Sequence, residues 1–379
     1  ATGKQFSPPL LHEENVWAVS FSPDGKFVLT ASSDKTARLW ETATGKQIGP
    51  PLLHQGFVNA ASFSPDGKTV LTTSFDYTGV RLWEIVTGRQ LGPPLLHQRE
   101  VVVVAFSPDG KTALTASYDQ TARLWETATG QQVGPPLLHR GGVGAATFSP
   151  DGKTVVTGSG DKTAQLWESA TGKAFGPPLQ HLGSVTAVAF SPDGKTVVTA
   201  SFDKTARLWR TATGQPFGPP LLHKDTVTAV AFSPDGKKVL TASSDNTARL
   251  WEAETGKPFG PPLLHKVSVT AVAFSPDGKT VLMACRDKTA RLWDTATGKQ
   301  LGPPLQHQGV VYAAVYSPDG KTALTGSEDK TARLWETATG KQFGPPLLHQ
   351  GTVGAVAFSP DGKMVLTTST DKAVRLWEA

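Results

Sequence analysis

Apolar and polar positions alternate in short runs, and the whole pattern returns about every 42 residues. One run reads Val185-Thr186-Ala187-Val188-Ala189-Phe190, apolar on both faces, as a strand packed between two layers would be. Val185, Ala187 and Ala189 share one face, and Val188 and Phe190 share the other. Ser191-Pro192-Asp193-Gly194 predicts a tight hairpin, because proline presets φ and glycine accepts a positive φ. A second strand runs from Thr196 to Ser201, a turn falls at Asp203-Lys204, and a third strand ends at Leu208-Trp209. Thr213-Gly214 turns into a fourth, which ends in Gly218-Pro219-Pro220-Leu221-Leu222-His223. The Pro-Pro pair stands in every block, from Pro8-Pro9 to Pro345-Pro346. Proline has no N–H for a ladder, so the fourth strand belongs at the sheet edge, where it discourages edge-to-edge pairing.

Tryptophan sets the register: Trp40, Trp83, Trp125, Trp167, Trp209, Trp251, Trp293, Trp335 and Trp377. The first interval is 43 residues and the others are 42, so nine blocks account for nearly all 379 residues. The extra residue lies between Asp76 and Trp83, and Gly79 is the expected site of a β-bulge. The chain starts inside a fourth strand and stops after a third. Trp377-Glu378-Ala379 joined to Ala1-Thr2-Gly3-Lys4-Gln5-Phe6 repeats Trp335 to Phe343 with one substitution. The two ends are therefore expected to complete one block between them.

Four strands per block, a Ser-x-Asp turn, a terminal Trp and a His before the next first strand resemble the WD-repeat β-propellers. The resemblance covers essentially the whole chain. The family's Gly-His is Leu-His or Gln-His here, and its Trp-Asp is Trp-Glu in seven blocks. Trp293-Asp294 keeps the family spelling, and Arg210 follows Trp209. The resemblance implies an all-β, nine-bladed propeller of four-stranded antiparallel blades. Residues 1–379 would form one domain, with residues 1–12 supplying the outer strand of the last blade. A ring of seven or eight blades would leave blocks unused and waste the matching ends.

Composition narrows the function. No run of 18 apolar residues exists to cross a membrane as a helix, and Ala1 to Phe6 lack the apolar core of a signal peptide. A cytoplasmic protein is the expectation. One cysteine excludes an internal disulfide framework and any cysteine-based zinc site. The net charge of +5 is mild, and much of the lysine recurs once per block, so it is spread out rather than gathered for nucleic acid. No glycine-rich phosphate loop opens a helix, and no amphipathic helical stretch favours a membrane surface. No cofactor, no metal and a monomeric state are expected. Repeats this alike resemble bacterial WD-repeat arrays.

Nine histidines, His12, His54, His97, His139, His181, His223, His265, His307 and His349, each precede an Asp by 22 residues. Ser stands two residues before that Asp in eight blocks, as Ser32 before Asp34 and Ser243 before Asp245; Cys285 takes its place before Asp287. His, Ser and Asp suggest a catalytic triad, but a site repeated nine times lacks the single asymmetric pocket that catalysis needs. The resemblance instead implies a structural network in each blade: His12, Ser32, Asp34 and Trp40 in the first, His223, Ser243, Asp245 and Trp251 in the sixth. In the seventh it would comprise His265, Cys285, Asp287 and Trp293. A carboxylate beside a sheet needs donors, and imidazole, hydroxyl and indole are suited to supply them. A thiol donates more weakly, so the seventh network is expected to be the weakest.

The copies also serve as an internal comparison. The residue before the turn Asp runs Ser33, Phe75, Tyr118, Gly160, Phe202, Ser244, Arg286, Glu328, Thr370. In the first three blocks these positions and the segments after each His carry Trp17, Phe57, Phe75, Tyr77 and Tyr118, with Glu13, Glu14, Arg99 and Glu100. Aromatic and Arg side chains dominate binding hot spots. A protein- or peptide-binding patch is expected there, with Arg286 and Glu328 as outlying candidates; neutral drift after repeat amplification would leave a similar variety. An excised or engineered array with no single partner, and a small-ligand or ion site in the central channel, are the other readings.

Overall fold

A computed structural model describes residues 4–75, 79–265 and 267–379. The fold is all-β: nine four-stranded antiparallel sheets, the blades of a nine-bladed propeller. The segment β1 (Leu10–Leu11) is followed by β2 (Val16–Phe21), β3 (Phe27–Ser32), β4 (Thr36–Glu41) and β5 (Gln47–Leu53), and the last four pair in chain order as the first blade. The other blades repeat this scheme. The Ser-Pro-Asp-Gly hairpins form as the residues require: Gly25 has φ 71°, and Asp24 Oδ1 accepts from Ser22 Oγ at 2.6 Å and from the Lys26 N–H at 3.0 Å. At the other end of eight blades a lysine, glutamine or asparagine after the turn Asp holds positive φ, as Lys35 does at 67°.

The last blade is completed as its ends imply. β1 adds antiparallel to strand Ala373–Glu378, with Leu10 opposite Val374 and Leu11 opposite Ala373, and Gln5 bridges Trp377. Leu10 is fully buried in a core with Val16, Val28, Trp40, Leu366 and Leu376, so the added strand ties the ninth blade to the first. Burying one leucine is worth roughly 2–3 kcal/mol. The pairing is shorter than the seven-residue outer strand Gln342–Leu348; Ser7 occupies the place where Gly344 has φ 73°.

Two compact units are present. One takes Ala1–Asp76, Trp83–Gln90 and His265–Ala379; the other takes Tyr77–Leu82 and Leu91–Leu264. Each has its own cores, such as Leu29, Leu39, Leu52, Val58 and Val70 in the first, and Val198, Leu208, Leu221, Val227 and Val239 in the second. The deepest layers are the second and third strands, buried along nearly their whole length. First strands such as Val185–Phe190 are only partly buried beyond their first residue, less enclosed than their two apolar faces suggest. Each described first strand also carries a register shift after its opening residue, as between Val185 and Ala187. Gly79 has φ 101° at the start of strand Val80–Glu84, and a Cβ there would lie 2.4 Å from the Leu95 carbonyl oxygen. Only glycine fits that place. Among the described residues no helix is long and apolar enough to cross a membrane.

Candidate functional site

In most blades the end that carries the His and the Asp turn is built on a buried relay. In the first blade His12 Nδ1 lies 2.7 Å from Asp34 Oδ2, and His12 Nε2 lies 2.7 Å from Thr30 Oγ1. Trp40 Nε1 donates to that same Thr30 hydroxyl at 2.9 Å. Both ring nitrogens are satisfied if the imidazole is neutral with its proton on Nδ1: indole to Thr, Thr to Nε2, Nδ1–H to carboxylate. Thr36 Oγ1 donates to Asp34 Oδ1 at 2.6 Å, and the Asp34 N–H donates to Ser32 Oγ at 3.1 Å.

This wiring differs from the one expected. The indole and Ser32 do not touch the carboxylate; Ser32 holds the turn backbone and donates to the Glu14 carbonyl at 3.2 Å. The hub is a threonine that reading by motif passes over, because a Thr inside a strand looks like an ordinary β-former. Its signal was present: Thr stands ten residues before Trp in seven blades, and Thr72 stands eleven before Trp83. In all eight the indole donates to it at 2.8 or 2.9 Å, as Trp251 does to Thr241 in the sixth. There His223 Nδ1 is 3.1 Å from Asp245 Oδ2, and the Asp245 N–H meets Ser243 Oγ at 3.1 Å.

The seventh blade departs from this. Met283 replaces the hub Thr and Cys285 replaces the Ser, so two hydroxyls become two sulfurs on the same strand face. His265 Nε2 and Trp293 Nε1 are left buried with no partner among the described residues. Cys285 Sγ lies 2.6 Å from His265 Nδ1, and the Arg291 guanidinium stands 2.7 Å from that nitrogen. Arg291 also lies 2.8 Å from Asp287 Oδ2, an ion pair without good hydrogen-bond direction.

Electrostatics follow the wiring. Burial lowers the pKa of His97, His139, His181, His223 and His307, and the facing carboxylates only partly offset it. For His265, burial and then Arg291 push the value down to about 4. Burial would raise the turn aspartates, but the Thr hydroxyl, backbone N–H and imidazole outweigh it, and Asp203 falls to about 2. Burial, and then Asp287, push the Cys285 thiol far above the ordinary range, so it is a protonated, unreactive side chain.

The variable side chains stand above this frame. Trp17, Phe57, Phe75 and Tyr118 are 55, 51, 47 and 47% exposed, and Arg99, Arg286 and Glu328 are exposed too. Trp17 belongs to β2 rather than to a loop, and its Nε1 donates to Ser33 Oγ at 2.6 Å. Phe57 lines a cavity of about 470 Å³ with Glu13, Glu14, Ser33, Asp34 and Lys35, and its carbonyl accepts from the Phe75 N–H at 3.0 Å. Trp17 reaches that cavity through Ser33. In the other compact unit the Tyr118 N–H donates to the Glu100 carbonyl at 3.0 Å, and Ser117 Oγ donates to the Arg99 carbonyl at 3.0 Å. Arg286 and Glu328 hold the equivalent turn position in the seventh and eighth blades, with backbone N–H groups bonded to the carbonyls of Ser268 and Val310. Tyr77 lies outside the described residues. Among those described, no group of three His, Cys, Asp or Glu side chains is placed to hold a metal ion.

Comparison with known proteins agrees with this repeat-by-repeat geometry. The model of the family described as WD domain, G-beta repeat matches residues 10–41, 51–84, 95–126, 137–168, 177–210, 221–252, 263–294, 298–336 and 347–378. No curated protein matches the chain. Among solved structures it resembles the crystal structure of the computationally designed Ika8 protein, with a TM-score of 0.68. Identity there is 24%, over 99% of this chain and 100% of that one, and the likeness is one of fold.

Proposed function

Because the chain belongs to the WD40-repeat family, we propose that it is a non-catalytic scaffold presenting variable side chains at the Asp-turn end of its blades to a protein or peptide. Propellers of this family generally serve as protein-interaction scaffolds. The observation that carries the reading is the placement of Trp17, Phe57, Phe75 and Tyr118. Each is about half exposed, and each stands at a position that other blocks fill with Gly, Ser or Thr without loss of the blade. Large aromatic surface left in water is what a partner covers. The cavity beside Phe57 gives one such surface a concave seat. The binding role requires no cofactor, and the relay beneath is rigid support rather than chemistry.

The test is a quantitative pull-down that compares the parent with a Phe57→Ala, Phe75→Ala, Tyr118→Ala variant of unchanged melting temperature. Partners recovered by the parent are expected to fall at least about ten-fold with the variant. Equal recovery from both would overturn the assignment of this face.

A further inference from the structure

The opposite, Pro-Asp-Gly hairpin end of the blades carries a second departure from the repeat. The residue opening each second strand is threonine in six blades (Thr69, Thr112, Thr154, Thr196, Thr280 and Thr322) and Lys238 in one. The two exceptions with large apolar side chains are Phe27 in the first blade and Met364 in the ninth. Those blades adjoin, and both residues line one groove of about 710 Å³ beside the closing segment, whose Phe6 is 43% exposed in the same wall. Where Thr196 holds the position, the corresponding groove of the fifth and sixth blades sets both charge signs, Lys195, Arg210, Lys237, Glu252 and Glu254, beside Phe217 and Phe232.

The charge of the lining shows what the groove would accept. The lining carries the carboxylates of Asp24, Glu41 and Asp361; Lys26 pairs with Asp24 at 3.6 Å and Lys363 with Asp361 at 3.9 Å, both exposed pairs, and Glu41 has no facing cation in the lining. Apolar walls and a rim with a carboxylate in excess complement an apolar side chain next to a lysine or arginine.

We propose that this groove is a second binding site, independent of the Asp-turn face, for a peptide segment that pairs an apolar side chain with a basic one. Phe6, Phe27 and Met364 enclose the apolar group, and Glu41, with Asp361 beside it, faces the cation. Fluorescence anisotropy with two labelled peptides, Lys-Phe-Leu-Lys-Gly and Glu-Phe-Leu-Glu-Gly, tests it on the full chain. Saturable binding of the basic peptide is expected, with the acidic one at least about ten-fold weaker. A Phe27→Thr, Met364→Thr variant restores the residue that six blades already carry, so folding is preserved and can be checked by its melting curve. That variant is expected to bind the basic peptide at least about ten-fold more weakly. Failure of both peptides to bind the parent, equal binding of the two, or unchanged binding by the variant would each overturn the proposal. The Phe57, Phe75, Tyr118 variant is expected to bind the basic peptide as the parent does, so a loss there would show the peptide to be on the other face and would also overturn it.

Discussion

The seventh and eighth blades have nearly the same backbone and differ at the heart of the relay. In the eighth, Thr325 accepts from Trp335 at 2.8 Å and meets His307 Nε2 at 2.7 Å, while His307 Nδ1 meets Asp329 at 2.9 Å. In the seventh, Met283 offers neither a donor nor a good acceptor, and His265 Nε2 and Trp293 Nε1 stay unmatched; Arg291 stands against the imidazole, as Arg375 does against His349 in the ninth blade, which keeps its Thr. The strands nevertheless pair in the same register, Ala284 opposite Ala290 and Gly326 opposite Ala332. Apolar burial and ladder bonds therefore suffice to form a blade, and its turn keeps its shape as well, with Lys288 at φ 68° and Thr289 bonded to Asp287. The Thr325 hydroxyl joins the indole to the imidazole, and Asp329 gathers the other bonds, from His307, Thr331 and the Gln308 N–H.

Acid should affect this comparison most broadly. A buried His with a lowered folded pKa stays neutral while the unfolded chain takes up protons below about 6.5, so stability is full above that pH and declines beneath it. The turn aspartates have folded values below 3.8, and their contribution is present above that pH and lost as pH falls towards about 2. Both contributions have the same sign. Thermal melts between pH 7 and 2 should show a monotonic loss in two stages, and a stability maximum near pH 4 would contradict the wiring.

Next in size, transplanting the defect should weaken the eighth blade. Thr325→Met with Ser327→Cys is expected to cost about 2–4 kcal/mol in urea unfolding, since it strands a buried imidazole and a buried indole. A cost below about 0.5 kcal/mol would show that the hub is decorative. The converse repair, Met283→Thr with Cys285→Ser, should gain about 1–3 kcal/mol and slow hydrogen exchange at the Trp293 indole. Cys285→Ser alone should gain less than about 1 kcal/mol, because it restores the weaker of the two bonds and leaves Trp293 Nε1 unmatched. The finest contrast is spectroscopic: His265 should titrate near 4 by NMR, the lowest of the histidines whose values burial depresses. A midpoint above that of His307 would place Arg291 elsewhere.

Much of the blade can be read directly from residues. Trp spacing sets the count, Pro-Pro marks the outer edge, and Ser-Pro-Asp-Gly sets the hairpin, because each acts through backbone geometry within a few positions. The relay was only partly legible. His, Asp and Trp stand out as rare residues, but Thr30 and Met283 sit among ordinary strand formers, and their role depends on which side chains cross from neighbouring strands. Cys285 advertised a defect of which Met283 is the larger part. The apolar pair Phe27 and Met364 lies far apart in the chain, and its meaning appears only when the ninth blade lies beside the first.

Taken alone, the order of amino acids specified the repeat, the strands, the antiparallel order and the joining of both ends in one sheet. These follow from period, turn chemistry and the missing proline donors, all local causes. Folding in three dimensions decided which hydroxyl became the hub, which indole and imidazole were left unmatched, and where exposed aromatics found a concave neighbour. Those outcomes depend on distances between groups 10 to 360 positions apart, such as Trp40 with Thr30 or Phe6 with Met364, and only packing sets such distances.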